Sequence, residues 1–286
     1  MNTANSKIKK IQLIELDMLK AFVNVCEELK LKYFLAGGTL LGAIRHNGFI
    51  PWDDDIDVIM PREDYEKFLE KGQALLEKKY FIQNYKTDPE FVLNFTKIRN
   101  SETTFIEKTS KNRNINHGIY IDIFPLDGFP RKKLDYIKTK IFDTLYGYQV
   151  DKYFFYEEKI KENFFKHIAK KIFSDMLYRK KSLREIQDKK EKMYKKYKYT
   201  DSEKIISYCG MYGKKEIMPK KYFGEGKKVL FEGIEVIAPQ EYDLYLKQFY
   251  GDYMKLPPKE QQVTHHYNEI IDLENSYKKY IGGEKI

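Results

Sequence analysis

The segment Pro51-Trp52-Asp53-Asp54-Asp55-Ile56-Asp57-Val58 places four carboxylates in five positions. Like charges this close repel, and each raises the cost of ionising the next. The chain must therefore leave the segment in solvent or gather it around a cation. Ile56–Met60 is apolar and stops at Pro61, which predicts a short buried strand. Asp55 and Asp57 are two apart, so on a strand both side chains leave the same face. Two carboxylates on one face suit Mg²⁺ (or Mn²⁺), a hard cation that takes oxygen ligands and keeps room for substrate phosphates. An acidic surface turn is the alternative reading. An EF-hand calcium loop is excluded, because its sixth position would be Val58 instead of Gly and its twelfth Asp64 instead of Glu.

Upstream, Tyr33–Ala36 predicts a short strand ended by Gly37-Gly38, and Thr39 is placed to cap a helix over Leu40–His46. A strand–glycine–helix junction exposes backbone N–H groups at a positive dipole end, which can hold a phosphate. Alone this is a weak signal that a simple turn also explains. Followed by Asp-x-Asp on the next strand, it sets a phosphate cradle beside a pair of metal ligands. Asp122, isolated in Tyr120-Ile121-Asp122-Ile123-Phe124, is the candidate third carboxylate, since a buried Asp needs a cation or a donor. An ion pair with a nearby base is the competing explanation.

Elsewhere the spacing predicts helices over 7–30, 62–79, 239–250 and 266–280, and strands over Phe91–Arg99 and Gly118–Phe124. Val229–Ile237 reads as a hairpin turning at Glu232-Gly233. The 286 residues are 42% hydrophobic and 33% charged, as expected of a folded soluble chain. There is no apolar run of membrane-spanning length and no secretory h-region. Cys26 and Cys209 are too few for a disulfide framework or a four-ligand zinc site, so a reduced, cytoplasmic setting is expected.

The net charge of +9 is concentrated in the middle of the chain. Residues 151–200 carry 16 Lys/Arg against 8 Asp/Glu, interleaved with aromatics such as Tyr153, Phe154, Phe155, Tyr156 and Phe173. A helical subdomain with a solvated basic face explains this composition, and so does peripheral contact with a membrane surface. No nucleic-acid motif accompanies the charge.

The stretches GGTLLGAIRHNGFIPWDDDIDVIMPREDYEKF at 37–68, HGIYIDIFPLDGFP at 117–130, and FEGIEVIAPQEYDLYLKQFYGDYMKLPP onward to His265-His266 resemble the LicD family of phosphotransferases, within the nucleotidyltransferase-fold superfamily. The resemblance implies an α/β fold with a mixed sheet. A catalytic core would span 1–130, a basic helical insertion 131–204, and a C-terminal part completing the substrate site 205–286. It implies Asp55, Asp57 and Asp122 as catalytic, metal-binding acids. It further implies a CDP-linked donor, phosphocholine from CDP-choline being the best-known case, and a glycan acceptor such as teichoic acid or lipopolysaccharide, lipid-linked in many cases. Fukutin-related proteins, distant relatives in appearance, use CDP-ribitol, so the donor alcohol stays open. Arg45, Lys97 and Arg99 are candidate phosphate partners, with Lys97 and Arg99 sharing one strand face. Trp52 could wall a site for a quaternary ammonium. His265 and His266 are candidate metal or phosphate contacts, and His117 is a weaker one.

Overall fold

The computed structural model of the chain describes residues 3–150, 164–178, 180–264 and 268–281. In chain order the first half contains α1 (Thr3–Leu29), β1 (Phe34–Leu35), α2 (Gly37–His46), β2 (Asp57–Pro61), α3 (Arg62–Leu75), β3 (Tyr80–Gln83), β4 (Thr96–Asn100), β5 (Thr104–Glu107) and β6 (Ile119–Gly128). Then come α4 (Lys133–Val150), α5 (Phe164–Tyr178), α6 (Leu183–Tyr194), β7 (Lys204–Ile206), β8 (Ile217–Pro219), β9 (Lys227–Phe231), β10 (Ile234–Ala238), α7 (Tyr242–Tyr250) and β11 (Asn268–Asp272).

The fold is α/β around a mixed sheet ordered β1-β2-β6-β4-β3, with β7 on the far end of β6 and β8 on β7. β2 and β6 run parallel and are interior strands; β2 is buried from Val58 to Pro61 and β6 along most of its length. Strands covered on both faces read as near-continuous apolar runs, as Ile56–Met60 and the segment around Asp122 do. Tyr65 on α3 hydrogen-bonds Thr96 at 2.6 Å, so α3 covers the face that bears Thr96 and the apolar row Ile98–Ile121, each one residue out of phase with Lys97. α1 packs on α3 through Phe22 against Phe68.

The opposite face is polar at one level. Register pairs Asp57 with Asp122, Asp122 with Lys97, and Lys97 with Gln83, so these four side chains form one row across β2, β6, β4 and β3.

The hairpin turns where expected. Glu232 and Gly233 both have positive φ, 47° and 82°, the signature of a two-residue primed turn. Other expectations fail for identifiable reasons. The strand expected over Phe91–Arg99 begins only at Thr96, because the Phe91 carbonyl accepts from Gln187 Nε2 and the Val92 carbonyl from the Tyr146 hydroxyl; side chains of α6 and α4 take the place of a sheet neighbour. The helix expected to 79 ends at Leu75, and β3 follows. The helix expected over 266–280 is replaced in its first part by β11, which pairs antiparallel with β5. α2 begins at Gly37, so Thr39 lies inside its first turn and does not cap it. His265, His266 and Tyr153–Tyr156 lie outside the described residues.

The helices of the basic segment are tied to the sheet by buried charge. Arg62 donates from Nε and Nη2 to the two oxygens of Asp127 on β6, both at 2.7 Å, and its Nη1 lies 3.7 Å from Glu191 on α6. Glu191 also receives Lys195 at 2.7 Å and the Tyr85 hydroxyl. Removing one partner of a buried pair strands the other charge, at about 3–5 kcal/mol, whereas replacing both by apolar side chains is close to neutral. Arg62→Met should therefore lower unfolding free energy in urea by about that amount, and Arg62→Met with Asp127→Leu should recover most of it. A loss below about 1 kcal/mol for the single variant would show that the pair does not anchor the sheet.

Candidate active site

Asp122 is 8% exposed and Lys97 is 4% exposed. Lys97 Nζ lies 2.9 Å from Asp122 Oδ1 and 3.2 Å from Oδ2. Its ammonium also sits over the Tyr120 ring, 3.3 Å from the centroid. Burial pushes the Asp122 carboxyl up, Lys97 opposes this, and Asp55 adds to the rise. The acid is thus pulled in two directions within one row of the sheet.

The start of α2 closes over the same carboxylates. Thr39 Oγ1 accepts from the Asp57 N–H at 2.8 Å, and the Ala36 N–H donates to the Asp57 carbonyl at 3.0 Å. A Cβ on Gly37 would lie 2.7 Å from Asp57 Oδ2, and one on Gly38 2.6 Å from Asp53 Oδ2. Gly37 also has φ +52°. The glycine pair is what lets two carboxylates approach the positive end of α2 this closely.

α1 contributes a sixth acid that the sequence analysis did not single out. Glu15 is 2% exposed, and its Oε2 has no hydrogen-bond partner among the described residues. Burial pushes this carboxyl well up, and Asp55, Asp54, Asp53 and Asp122 add to it in that order. A signal existed: Gln12 and Glu15 interrupt the helical stripe that continues through Leu19 and Phe22. Gln12 Nε2 is bound to the Asp53 carbonyl at 2.9 Å, so both polar residues serve the acidic loop.

The other candidates separate. Arg99 is 1% exposed and gives Nε to Gln83 at 2.7 Å and Nη1 to the Gly118 carbonyl at 2.8 Å, so much of its hydrogen-bonding capacity is used inside the fold. Arg45 gives Nη1 to the Tyr253 carbonyl at 2.9 Å and stays half-buried beside the loop. Trp52 is half-buried, edge-on to His46 with centroids 6.4 Å apart. His117 is fully buried with Nε2 3.0 Å from the Arg113 carbonyl, and burial lowers its pKa.

A tyrosine wall from the C-terminal third completes the surroundings. The Gly37 N–H donates to the Tyr245 hydroxyl at 3.3 Å, fixing α7 against α2. Tyr250 on α7 meets Tyr212 with hydroxyls 3.3 Å apart and rings crossing at 82°. Burial, then Tyr212, pushes the Tyr250 hydroxyl up, and Asp57 adds to the rise. Tyr212 itself is 45% exposed. These residues are far along the chain from the acids, and Tyr is too abundant here for sequence to nominate them.

Among the described residues no three Asp, Glu, His or Cys side chains are already arranged as a metal-ligand group. The fit to a hard divalent cation rests on donor chemistry: Asp57 and Asp122 are neighbours in register, Asp55 lies near enough to raise Asp122, and all three offer carboxylate oxygens.

Residues 30–183 match the family model described as the LicD/FKTN/FKRP nucleotidyltransferase domain. The chain is 32% identical over 281 residues to the lipopolysaccharide cholinephosphotransferase LicD of Haemophilus influenzae, covering 93% of this chain and 98% of that protein. It is 50% identical over 42 residues to the human ribitol 5-phosphate transferase FKRP, covering 15% of this chain and 8% of that protein.

The loop that holds Tyr212 rests on Glu216, whose carboxylate accepts from the Tyr212 N–H at 3.2 Å. Burial pushes the Glu216 carboxyl from 4.5 up to about 7. The native state then binds more protons than the unfolded state between those values, so stability falls as pH rises through that window. Glu216→Gln keeps the acceptor and removes the charge. It should be more stable than the parent above pH 7 by roughly 3 kcal/mol at most, and the two melting curves should converge near pH 4. Parallel pH profiles for the two proteins would refute the assignment.

Proposed function

The chain belongs to the LicD family, and from that premise we propose that it transfers a phospho-alcohol group, phosphocholine from CDP-choline in the first instance, to a sugar hydroxyl of a cell-surface glycan such as lipopolysaccharide or teichoic acid, releasing CMP. The observation that carries this reading is the row Asp57–Asp122–Lys97, in a chain matched along nearly its whole length to a cholinephosphotransferase. Among the described residues no helix is long and apolar enough to cross a membrane; that the reaction takes place on the cytoplasmic side is part of the proposal.

Asp55 and Asp57, with Asp122, would hold Mg²⁺ or Mn²⁺, which supplies charge neutralisation to the donor pyrophosphate. Asp122 is the residue best placed to take the proton of the attacking hydroxyl: its burial favours the protonated form, and Lys97 holds its position. The new bond joins the sugar oxygen to the phosphorus bearing the alcohol. The bond from that phosphorus to CMP breaks, and CMP leaves with the electron pair. Arg45, about two turns further along near the other end of α2, is the proposed phosphate partner. The perpendicular rings of Tyr212 and Tyr250, with the Asp57 charge nearby, suit a quaternary ammonium better than a polyol.

The short match to a ribitol 5-phosphate transferase supports a second reading, a CDP-ribitol or CDP-glycerol donor. An ATP-dependent nucleotidyltransferase would release pyrophosphate instead. A panel of CDP-choline, CDP-ethanolamine, CDP-glycerol, CDP-ribitol and ATP separates these by whether CMP or pyrophosphate appears. With the productive donor, Asp55→Asn, Asp57→Asn and Asp122→Asn should each lower turnover by about 10²–10⁴-fold; the first two should keep the parent melting temperature, whereas Asp122→Asn strands the buried Lys97 and should lower it. EDTA should abolish turnover and Mg²⁺ or Mn²⁺ restore it. Near-normal turnover by Asp57→Asn would sink the assignment of the acids. Tyr212→Ala should raise KM for CDP-choline and leave that for CDP-glycerol unchanged.

A further inference from the structure

α5 carries an apolar arc that faces outward. Ile172, Phe173 and Met176 are exposed, Met176 at 68%, while the buried positions Ser174 and Tyr178 lie on the other side of the helix. Ser174 donates to the Leu145 carbonyl, and Phe142 packs edge-on to Tyr178. These contacts pair 145 with 174 and 142 with 178, so α4 and α5 run antiparallel. α4 adds a second stripe at i, i+3 and i+7: Leu134, Ile137 and Ile141, also exposed. Six large apolar side chains thus stand exposed on two helices packed against each other, and clustered apolar exposure of this kind marks an interaction surface.

The rim of the patch is cationic. Arg131, Lys132 and Lys133 stand at the start of α4 beside Leu134, and Lys180 and Lys181 stand just past the end of α5, which the packing of Tyr178 on Phe142 sets beside the middle of α4. All five are exposed, and none is in an ion pair among the described residues. The lysines further along, to which the charge count alone also points, are committed elsewhere: Lys190 to Asp143, Lys195 to Glu66 and Glu191, Lys196 to Asp135. α5 has 15 residues and spans about 22 Å, short of the roughly 30 Å hydrocarbon core, so this face can lie on a bilayer but not cross it.

We infer that the exposed face of α4 and α5 is a docking surface for an anionic lipid membrane. Ile172 and Met176 enter the boundary between headgroups and acyl chains, and Lys132, Lys133, Lys180 and Lys181 meet the headgroups. The match is of sign as well as polarity: an apolar centre with a cationic edge fits a surface that is apolar beneath and negative at its rim. A second copy of the same face would bring cations toward cations. This inference does not depend on which donor the enzyme uses.

The test is flotation of the full-length protein with vesicles of phosphatidylglycerol and phosphatidylcholine, and with phosphatidylcholine alone. Salt is set at about 0.01 M and about 1 M, where the screening length falls from about 30 Å to about 3 Å. The protein should float with the anionic vesicles at low salt and be released or weakened at high salt. Ile172→Glu with Met176→Glu should lower the partition coefficient by about tenfold or more even at low salt. Lys132→Glu with Lys180→Glu should lower it by about thirtyfold or more. Both variants change exposed positions and should keep the parent melting temperature. No flotation with anionic vesicles at low salt, or equal flotation by parent and variants, overturns the inference. So does a parent that sediments as a dimer, ignores vesicles, and becomes a monomer on Ile172→Glu with Met176→Glu.

Discussion

The parallel pairing of β2 with β6 is the constraint on which the rest of the site hangs. Its register sets Asp57 beside Asp122, and the antiparallel partner β4 then places Lys97 beside Asp122. Two carboxylates in adjacent register positions oppose each other's ionisation, and one of them is buried. The sheet tolerates this because a cation is built into the next strand and capped by Tyr120. A one-residue slip of β6 would turn Asp122 toward α3 and Lys97 would lose its partner. Thr39 and the backbone of Ala36 pin the first residue of β2, so the register is held at the point where it matters for the carboxylates.

Charge also fastens the outlying parts to this core. Arg62 follows Pro61 directly at the start of α3, and its bidentate contact with Asp127 closes the far ends of β2 and β6 against each other. The same guanidinium reaches Glu191, so α6 is docked on the C-terminal end of the strand that carries Asp122. Gln187 and Tyr146 hold the 91–95 segment that leads into Lys97. The basic helices are thus part of what positions β4, although the chemistry-bearing side chains lie outside them.

What sequence made legible follows from how local each signal is. Asp55, Asp57 and the glycine pair stand in one short window whose charge density and spacing admit few conformations. Asp122 stood out as one carboxylate in an apolar run. The Glu232-Gly233 turn needs positive φ at two residues and advertises it. β3, β5 and β11 were illegible because edge strands of four or five residues carry little periodicity, and β11 exists through its pairing with a segment more than 150 residues upstream. Arg99 shares the face of Lys97 as expected, but which of the two meets Asp122 depends on register and not on spacing. Glu15 was legible in principle, as a polar break in a buried stripe; the tyrosines of the C-terminal third were not.

The basic segment shows how a charge count can point to the right region for an incomplete reason. Sixteen cations in fifty residues suggest a surface, yet several of those on and just after α6 neutralise acids inside the protein. The anomaly is apolar: α5 has a helical hydrophobic pattern with the apolar arc turned outward and a narrow side, Ser174 and Tyr178, turned in. Periodicity alone reports that a helix has an apolar face and cannot say whether that face meets the core or the exterior. Only packing decides this, and here α4 meets α5 through Leu145 and Phe142, leaving Ile172 and Met176 exposed. An outward apolar face costs solubility unless something covers it, so its presence near five cations that form no ion pair among the described residues is a property of the surface and not of the fold.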